Sequence, residues 1–147
     1  MTDTALPEAL ADIRDEFLAL EQHDRLQLLL EFSQELPELP ERYADHPDLL
    51  ERVIECQSPV FLFVEVDEDR VVRVFLTAPR ESPTTRGFAS ILAQGLAGLT
   101  VEQVLAVPSD FPFEIGLTEA VSPLRLRGMI GMLGRIQRQV KEKSAAL

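Results

Sequence analysis

Cys56 is the only cysteine in the chain, and it sits in Ile54-Glu55-Cys56-Gln57-Ser58-Pro59. There an acidic loop gives way to the apolar run Val60-Phe61-Leu62-Phe63-Val64. A structural cysteine behaves as a small hydrophobe and belongs inside such a run. This one stands just outside it, between Glu55 and Gln57. The position predicts a thiol at the surface or in a shallow pocket, where it can react. Most lone cysteines are inert, so on chemistry alone the structural role stays open.

The other residues narrow what such a thiol can do. A hydrolytic nucleophile needs a histidine base beside it, and only His23 and His46 exist, both read as solvated. One cysteine and two scattered histidines give no metal-ligand spacing. A dithiol redox motif is excluded by the missing second cysteine, and Gly95 and Gly98 lack the setting of a phosphate loop. What one thiol can do unaided is accept and pass on a group. A thiolate that attacks a persulfide becomes a persulfide, and a second thiol then removes the sulfur. This exchange needs no metal or cofactor on the chain.

The elements that must hold Cys56 are legible from composition and pattern. The 147 residues, 46% hydrophobic and 27% charged, suit one ordinary soluble globular domain. Met1-Thr2-Asp3-Thr4-Ala5 lacks a leader's basic region, and no run approaches the roughly 20 apolar residues that span a bilayer. With one cysteine and therefore no internal disulfide, a cytoplasmic location is expected. The formal charge is −11, and residues 1–69 carry fifteen excess negative charges. Such a chain repels phosphate backbones, so nucleic acid is excluded as a partner. The last helix runs the other way: Arg125, Arg127, Arg135, Arg138, Lys141 and Lys143 face only Glu142. Most of this basic stripe reads as a solvated face near a helix C-terminus. Arg125 lies near the helix start, against that preference, and reads as serving a partner or the thiol. No coiled-coil heptad is present, so a monomer or weak dimer is expected.

Leu6, Leu10, Ile13, Phe17 and Leu20 predict a first helix, and Leu26, Leu29, Leu30, Ser33 and Leu36 a second that ends before Pro37. Val60–Val66 and Val71–Thr77 predict an antiparallel hairpin, with a short third strand around Val53-Ile54. Val60, Leu62, Val64 and Val66 share one face, and Phe61, Phe63 and Glu65 the other. Because both faces start apolar, helices must cover both, or a partner must cover one. Arg86-Gly87-Phe88 to Ala97 predicts a helix closed by Gly98, and Thr100-Val101-Glu102-Gln103 a capping box. A short turn is expected over Phe111–Ile115. Ser122 and Pro123 open the last helix, with Leu126, Met129, Ile130, Leu133, Ile136 and Val140 as its buried stripe.

That helix also carries Gly128, Gly131 and Gly134, three apart. Each glycine costs about 1 kcal/mol against alanine, roughly 3 kcal/mol together, a large share of a domain's stability. A smooth strip that admits the cysteine loop or a neighbouring helix offsets this best.

Several of these segments together resemble the SufE family of sulfur acceptors, across nearly the whole chain and in order. They are Leu36-Pro37-Glu38-Leu39, Cys56-Gln57-Ser58 before an apolar strand, Arg86-Gly87 opening a helix, and Gly116-Leu117 followed by Ser122-Pro123-Leu124-Arg125-Leu126-Arg127-Gly128-Met129. The resemblance implies an α+β fold, a small antiparallel sheet packed by N- and C-terminal helices, similar to IscU-type scaffold proteins. It implies that Cys56 takes persulfide sulfur from a SufS-type cysteine desulfurase, stimulates that enzyme, and delivers the sulfur to an iron–sulfur cluster assembly scaffold. Cys56 is the acceptor on this reading. Arg125, Gln57, Ser58, Arg86 and Gly128 contribute to partner binding, and pyridoxal phosphate belongs to the desulfurase, so this chain needs no cofactor. The chain departs from the family pattern at Glu55, which replaces a usual glycine, in having no tryptophan, and in Ala78-Pro79-Arg80-Glu81 after the hairpin. Glu55 is expected to raise the Cys56 pKa, with Arg52 or Arg125 as offsets. The competing class is a non-catalytic acidic interaction module in which Cys56 is incidental.

Overall fold

The computed structural model describes residues 6–147. The leader-free reading of Met1–Ala5 lies outside the described residues. Two helices, α1 (Glu8–Leu18) and α2 (Gln22–Gln34), precede a short α3 (Glu41–Ala44) and a 3-10 turn at Pro47–Leu49. Strands β1 (Glu51–Arg52), β2 (Phe61–Val66) and β3 (Val72–Thr77) follow. The chain then returns to helix with α4 (Pro83–Leu96), α5 (Val101–Leu105), a 3-10 turn at Phe111–Ile115 and the long α6 (Pro123–Ala145). The fold is α+β, and the sheet is antiparallel in the order β1-β2-β3. Among the described residues no helix is long and apolar enough to cross a membrane.

The third strand lies two residues earlier than expected. Glu51 pairs with Leu62 and Arg52 with Phe61, and the Val53 N–H still donates to Val60 O at 2.8 Å. Beyond Val53 the chain turns, with the Cys56 N–H on Val53 O at 3.1 Å, so Ile54 never pairs. The result is a β1–β2 corner that closes on itself and presents residues 54–59 as a loop.

Alternation along β2 divides the sheet as its residue types require. Val60, Leu62 and Val64 are fully buried, on the side covered by α4 and α6. The opposite face is covered in part within the chain, by α3. Tyr43 packs on Phe63 and Phe75 at centroid distances of 4.6 and 5.1 Å, and its hydroxyl donates to the Glu65 carboxylate. Arg42 also donates to Glu65, at 3.1 Å. A four-residue helix thus supplies part of the second cover, and Phe61, Phe63 and Phe75 remain half-buried.

Helix α4 is the hub, packing on α1, α2, α6 and β3. Its approach to α2 depends on Gly87, where an added Cβ would stand 2.6 Å from the Leu29 carbonyl oxygen. Backbone cannot give way as a side-chain tip can. Gly87→Ala is therefore expected to destabilise the fold by about 2 kcal/mol or more, read as a lower urea midpoint at unchanged slope.

Helix starts follow the expected chemistry. Thr100 Oγ1 accepts from the Gln103 N–H at 3.2 Å, and Gln103 Oε1 accepts from the Thr100 N–H at 3.0 Å, completing the box. Ser122 Oγ caps α6 by accepting from the Arg125 N–H at 3.3 Å. Leu126, Met129, Leu133, Ile136 and Val140 are buried along α6 as the spacing predicts. Ile130 is only half-buried, and Met132 joins the core in addition.

Candidate functional site

The corner between β1 and β2 sets the Cys56 side chain facing inward. It is 7% exposed and lines a cavity, so of the two expectations the surface is corrected and the pocket stands. The loop is at the surface, but the thiol is folded beneath it against α6. Glycine makes that approach possible. A Cβ at Gly128 would lie 2.9 Å from the Cys56 Sγ, and one at Gly131 would lie 2.8 Å from the Glu55 side chain. Two of the three glycines thus form the floor on which the loop rests. Gly134 faces open space, and nothing in the structure explains it.

Beside the thiol is a cavity of about 200 Å³, lined among others by Gln57, Ser58, Ser82, Thr84, Arg125 and Gly128. Ser58 Oγ and Ser82 Oγ lie 2.7 Å apart and share a hydrogen bond, joining the loop to the start of α4. Arg125 is exposed at the rim. Among the described residues its guanidinium makes no hydrogen bond or ion pair. The structure therefore brings Cys56, Gln57, Ser58, Arg125 and Gly128 to one cavity. Arg86 is not in the lining. Its Nε donates to Ser33 O at 2.8 Å and its Nη1 to Ala78 O at 2.6 Å, so it ties α2 and the end of β3 to α4. Its Nε and one Nη1 donor are thus committed to the chain's own backbone rather than to the cavity. Neither His23 nor His46 lines the cavity.

The electrostatics of the thiol are unfavourable at rest. Burial, followed by the neighbouring Glu55 carboxylate, pushes the Cys56 thiol up to about 11, while Arg135 pulls in the other direction. The offsetting cation is thus neither Arg52 nor Arg125; Arg52 instead lies over the Phe61 ring at 5.9 Å. Arg135 grips Glu55 with two donors, Nε to Oε1 at 2.8 Å and Nη2 to Oε2 at 3.3 Å. Its Nη1 donates to Glu51 at 2.6 Å, and Glu51 also accepts from Arg138 and from Gln139 at 2.7 Å. The Arg135 fork holds the Glu55 carboxyl below the usual carboxylate range. Burial raises the Glu51 carboxyl, but donors from Gln139, Arg138 and Arg135 outweigh it and leave it lowered. Reading α6 as a solvated basic face missed this network. The signal available was the spacing of Arg135, Arg138 and Gln139, which puts their side chains on one side of a helix.

Comparison with known proteins follows the same residues. The family model described as SufE, Fe-S metabolism associated domain, matches residues 11–140. An uncharacterized SufE-like protein of Mycobacterium tuberculosis is 50% identical over 138 residues, which cover 94% of this chain and 95% of that protein. A cysteine desulfuration protein SufE of Plasmodium falciparum is 28% identical over 88 residues, 58% of this chain and 35% of that protein. The solution structure of a hypothetical protein from Thermus thermophilus superposes with a TM-score of 0.83 at 38% identity, covering 95% of this chain and 98% of that one.

Proposed function

The chain belongs to the SufE family, and on that footing we propose that Cys56 accepts sulfur from a cysteine desulfurase and delivers it to an iron–sulfur assembly scaffold. The observation that carries this reading is the placement of the sole thiol against a polar cavity with an uncommitted arginine at its rim. The Cys56 thiolate attacks the terminal sulfur of the desulfurase persulfide. The bond between the two desulfurase sulfurs breaks, and its cysteine leaves as a thiolate. Cys56 now carries the persulfide, with no change in overall oxidation state. Delivery repeats the step with a second thiol as attacker. Removing the persulfide from the desulfurase frees that enzyme for another turnover, which is the origin of stimulation. Pyridoxal phosphate, which releases the sulfur from free cysteine, belongs to the desulfurase on this reading.

The buried thiol is a resting state. At a pKa of about 11 it holds its proton at neutral pH, and the α6 backbone at Gly128 closes off approach from that side. The loop must lift for attack, and docking of the desulfurase supplies the occasion. Arg125, with Gln57 and Ser58 nearby, then meets the partner and the incoming sulfur anion. Arg125→Glu is expected to raise the concentration of this protein that gives half-maximal stimulation by about tenfold, since a rim charge acts mainly on encounter. The maximal rate should change little, as a titration of alanine release would register.

The reading as a whole is tested by a chase. Protein loaded with radioactive sulfur by a desulfurase is separated from that enzyme and mixed with scaffold. Label passing to the scaffold is the expected result. Label that stays on this chain, or never reaches it, contradicts the proposal.

A further inference from the structure

The residue next to the acceptor thiol is the most firmly held point of its loop. Among the described residues, the side-chain hydrogen bonds that tie the loop between Val53 and Val60 to the body are the Ser58–Ser82 hydroxyl contact and the Glu55 carboxylate in the Arg135 fork. The second involves two charge-assisted bonds that bridge eighty positions of sequence. The fork is itself braced. Arg135 also bonds Glu51 at the start of the corner, and Glu51 is fixed by Arg138 and Gln139. Gln139 in turn accepts from the buried Val64 N–H at 2.9 Å. A chain of bonds thus runs from the core of β2 through α6 to the residue beside Cys56. Gly131 lets the Glu55 stem lie flat on the helix, one turn from Gly128, which receives the thiol.

We propose that Arg135 is a positioning residue for sulfur acceptance: its fork on Glu55 is a latch that keeps the Cys56 loop seated on the Gly128–Gly131 strip until a partner draws Glu55 away. The side chains of Arg135 and Glu55 are 22% and 40% exposed, so a basic group on a docking protein has access to the carboxylate while the thiol beneath has little. A partner that offers a cation to Glu55 opens the loop, and one that does not leaves it shut. The latch makes discharge of the desulfurase depend on the right surface being present. This deepens the reading of Cys56 as sulfur acceptor and rests on it for its biological meaning.

The groups that face the latch allow it to be separated from simple electrostatics. Glu55 is met by Arg135 from α6, Glu51 from β1 and Cys56 from its own loop; Arg135 is met by Glu51 and Glu55. A cation that merely stabilised the thiolate would act through charge. Arg135→Gln would then slow labelling of the thiol, Arg135→Lys would leave it unchanged, and Glu55→Gln would speed it. A latch predicts one sign for all three, because each loosens the grip on the loop. The experiment is labelling of Cys56 by iodoacetamide, a neutral reagent, at pH 8 in the four full-length proteins, each checked for cooperative unfolding. The expected result is labelling about tenfold faster than wild type for Arg135→Gln and Glu55→Gln, and a smaller increase for Arg135→Lys, which keeps the charge but loses the two-pronged grip. Slower labelling in Arg135→Gln, or no change in Arg135→Lys, overturns the proposal. Should Arg135→Gln fold poorly, Arg135→Lys decides alone. No desulfurase enters the assay, so failure of the latch leaves sulfur acceptance intact, and failure of acceptance leaves this measurement unaffected.

Discussion

Cys56→Ser is expected to fold cooperatively and to lose all stimulation of a cysteine desulfurase. Oxygen is smaller than sulfur, so serine fits above Gly128, where space is limiting. A hydroxyl buried in place of the 7% exposed thiol loses some stability, about 1–2 kcal/mol if it finds no partner. The fold tolerates that. Chemistry does not, because a serine hydroxyl cannot form or hold a persulfide, and no second cysteine exists to substitute. The desulfurase should turn over at its unassisted rate at every concentration of the variant, while wild type accelerates it. The interaction-module reading predicts the reverse: the variant would stimulate as well as wild type. Alanine release measured side by side decides between them.

The second large effect concerns the free protein. A thiol with a pKa of about 11 carries roughly a hundredfold less thiolate at pH 7 than an ordinary cysteine near 9. Labelling of Cys56 in the resting protein should be about tenfold or more slower than that of a small free thiol, because the greater nucleophilicity of a high-pKa thiolate recovers only part of that factor and burial adds to the slowing. The rate should climb about tenfold per pH unit and continue to climb past pH 9, where a free thiol levels off. The sign follows from the causes: burial and the Glu55 carboxylate both penalise the anion, so the neutral thiol is the favoured form until the pH nears 11. A profile that levels off at 8 to 9 would show an accessible, ordinary thiol instead. On docking, a route to thiolate must open, and this is why a slow resting thiol and a fast acceptor are compatible.

Much of this architecture was legible in residue order. The hairpin, the Thr100 box, the Ser122-Pro123 start and the stripe on α6 are local patterns, set by alternation, capping and helical spacing over a few residues. The importance of Cys56 was legible because the residue has no rival in the chain. The expectation that a glycine strip admits the cysteine loop is met at Gly128 and Gly131, which contact Cys56 and Glu55, but not at Gly134. What sequence order hid is long-range. Arg135 reaches Glu51 and Glu55 across eighty or more positions; helical spacing groups Arg135, Arg138 and Gln139 on one face but does not name the loop they meet. The choice between surface and pocket for the thiol stayed open for a related reason. Polar neighbours mark the surface course of a loop, while the direction of one side chain depends on the helix beneath. The structural part played by Arg86 was hidden likewise: its bonds to two backbone carbonyls emerge only when α2, β3 and α4 are assembled.

The most direct test of the central claim is intact-protein mass spectrometry after incubation with a SufS-type desulfurase, pyridoxal phosphate and free cysteine. The account predicts a species heavier by one sulfur, about 32 Da, that disappears on reduction and never forms on Cys56→Ser. An unchanged mass, with the same desulfurase active on an established acceptor, would contradict it.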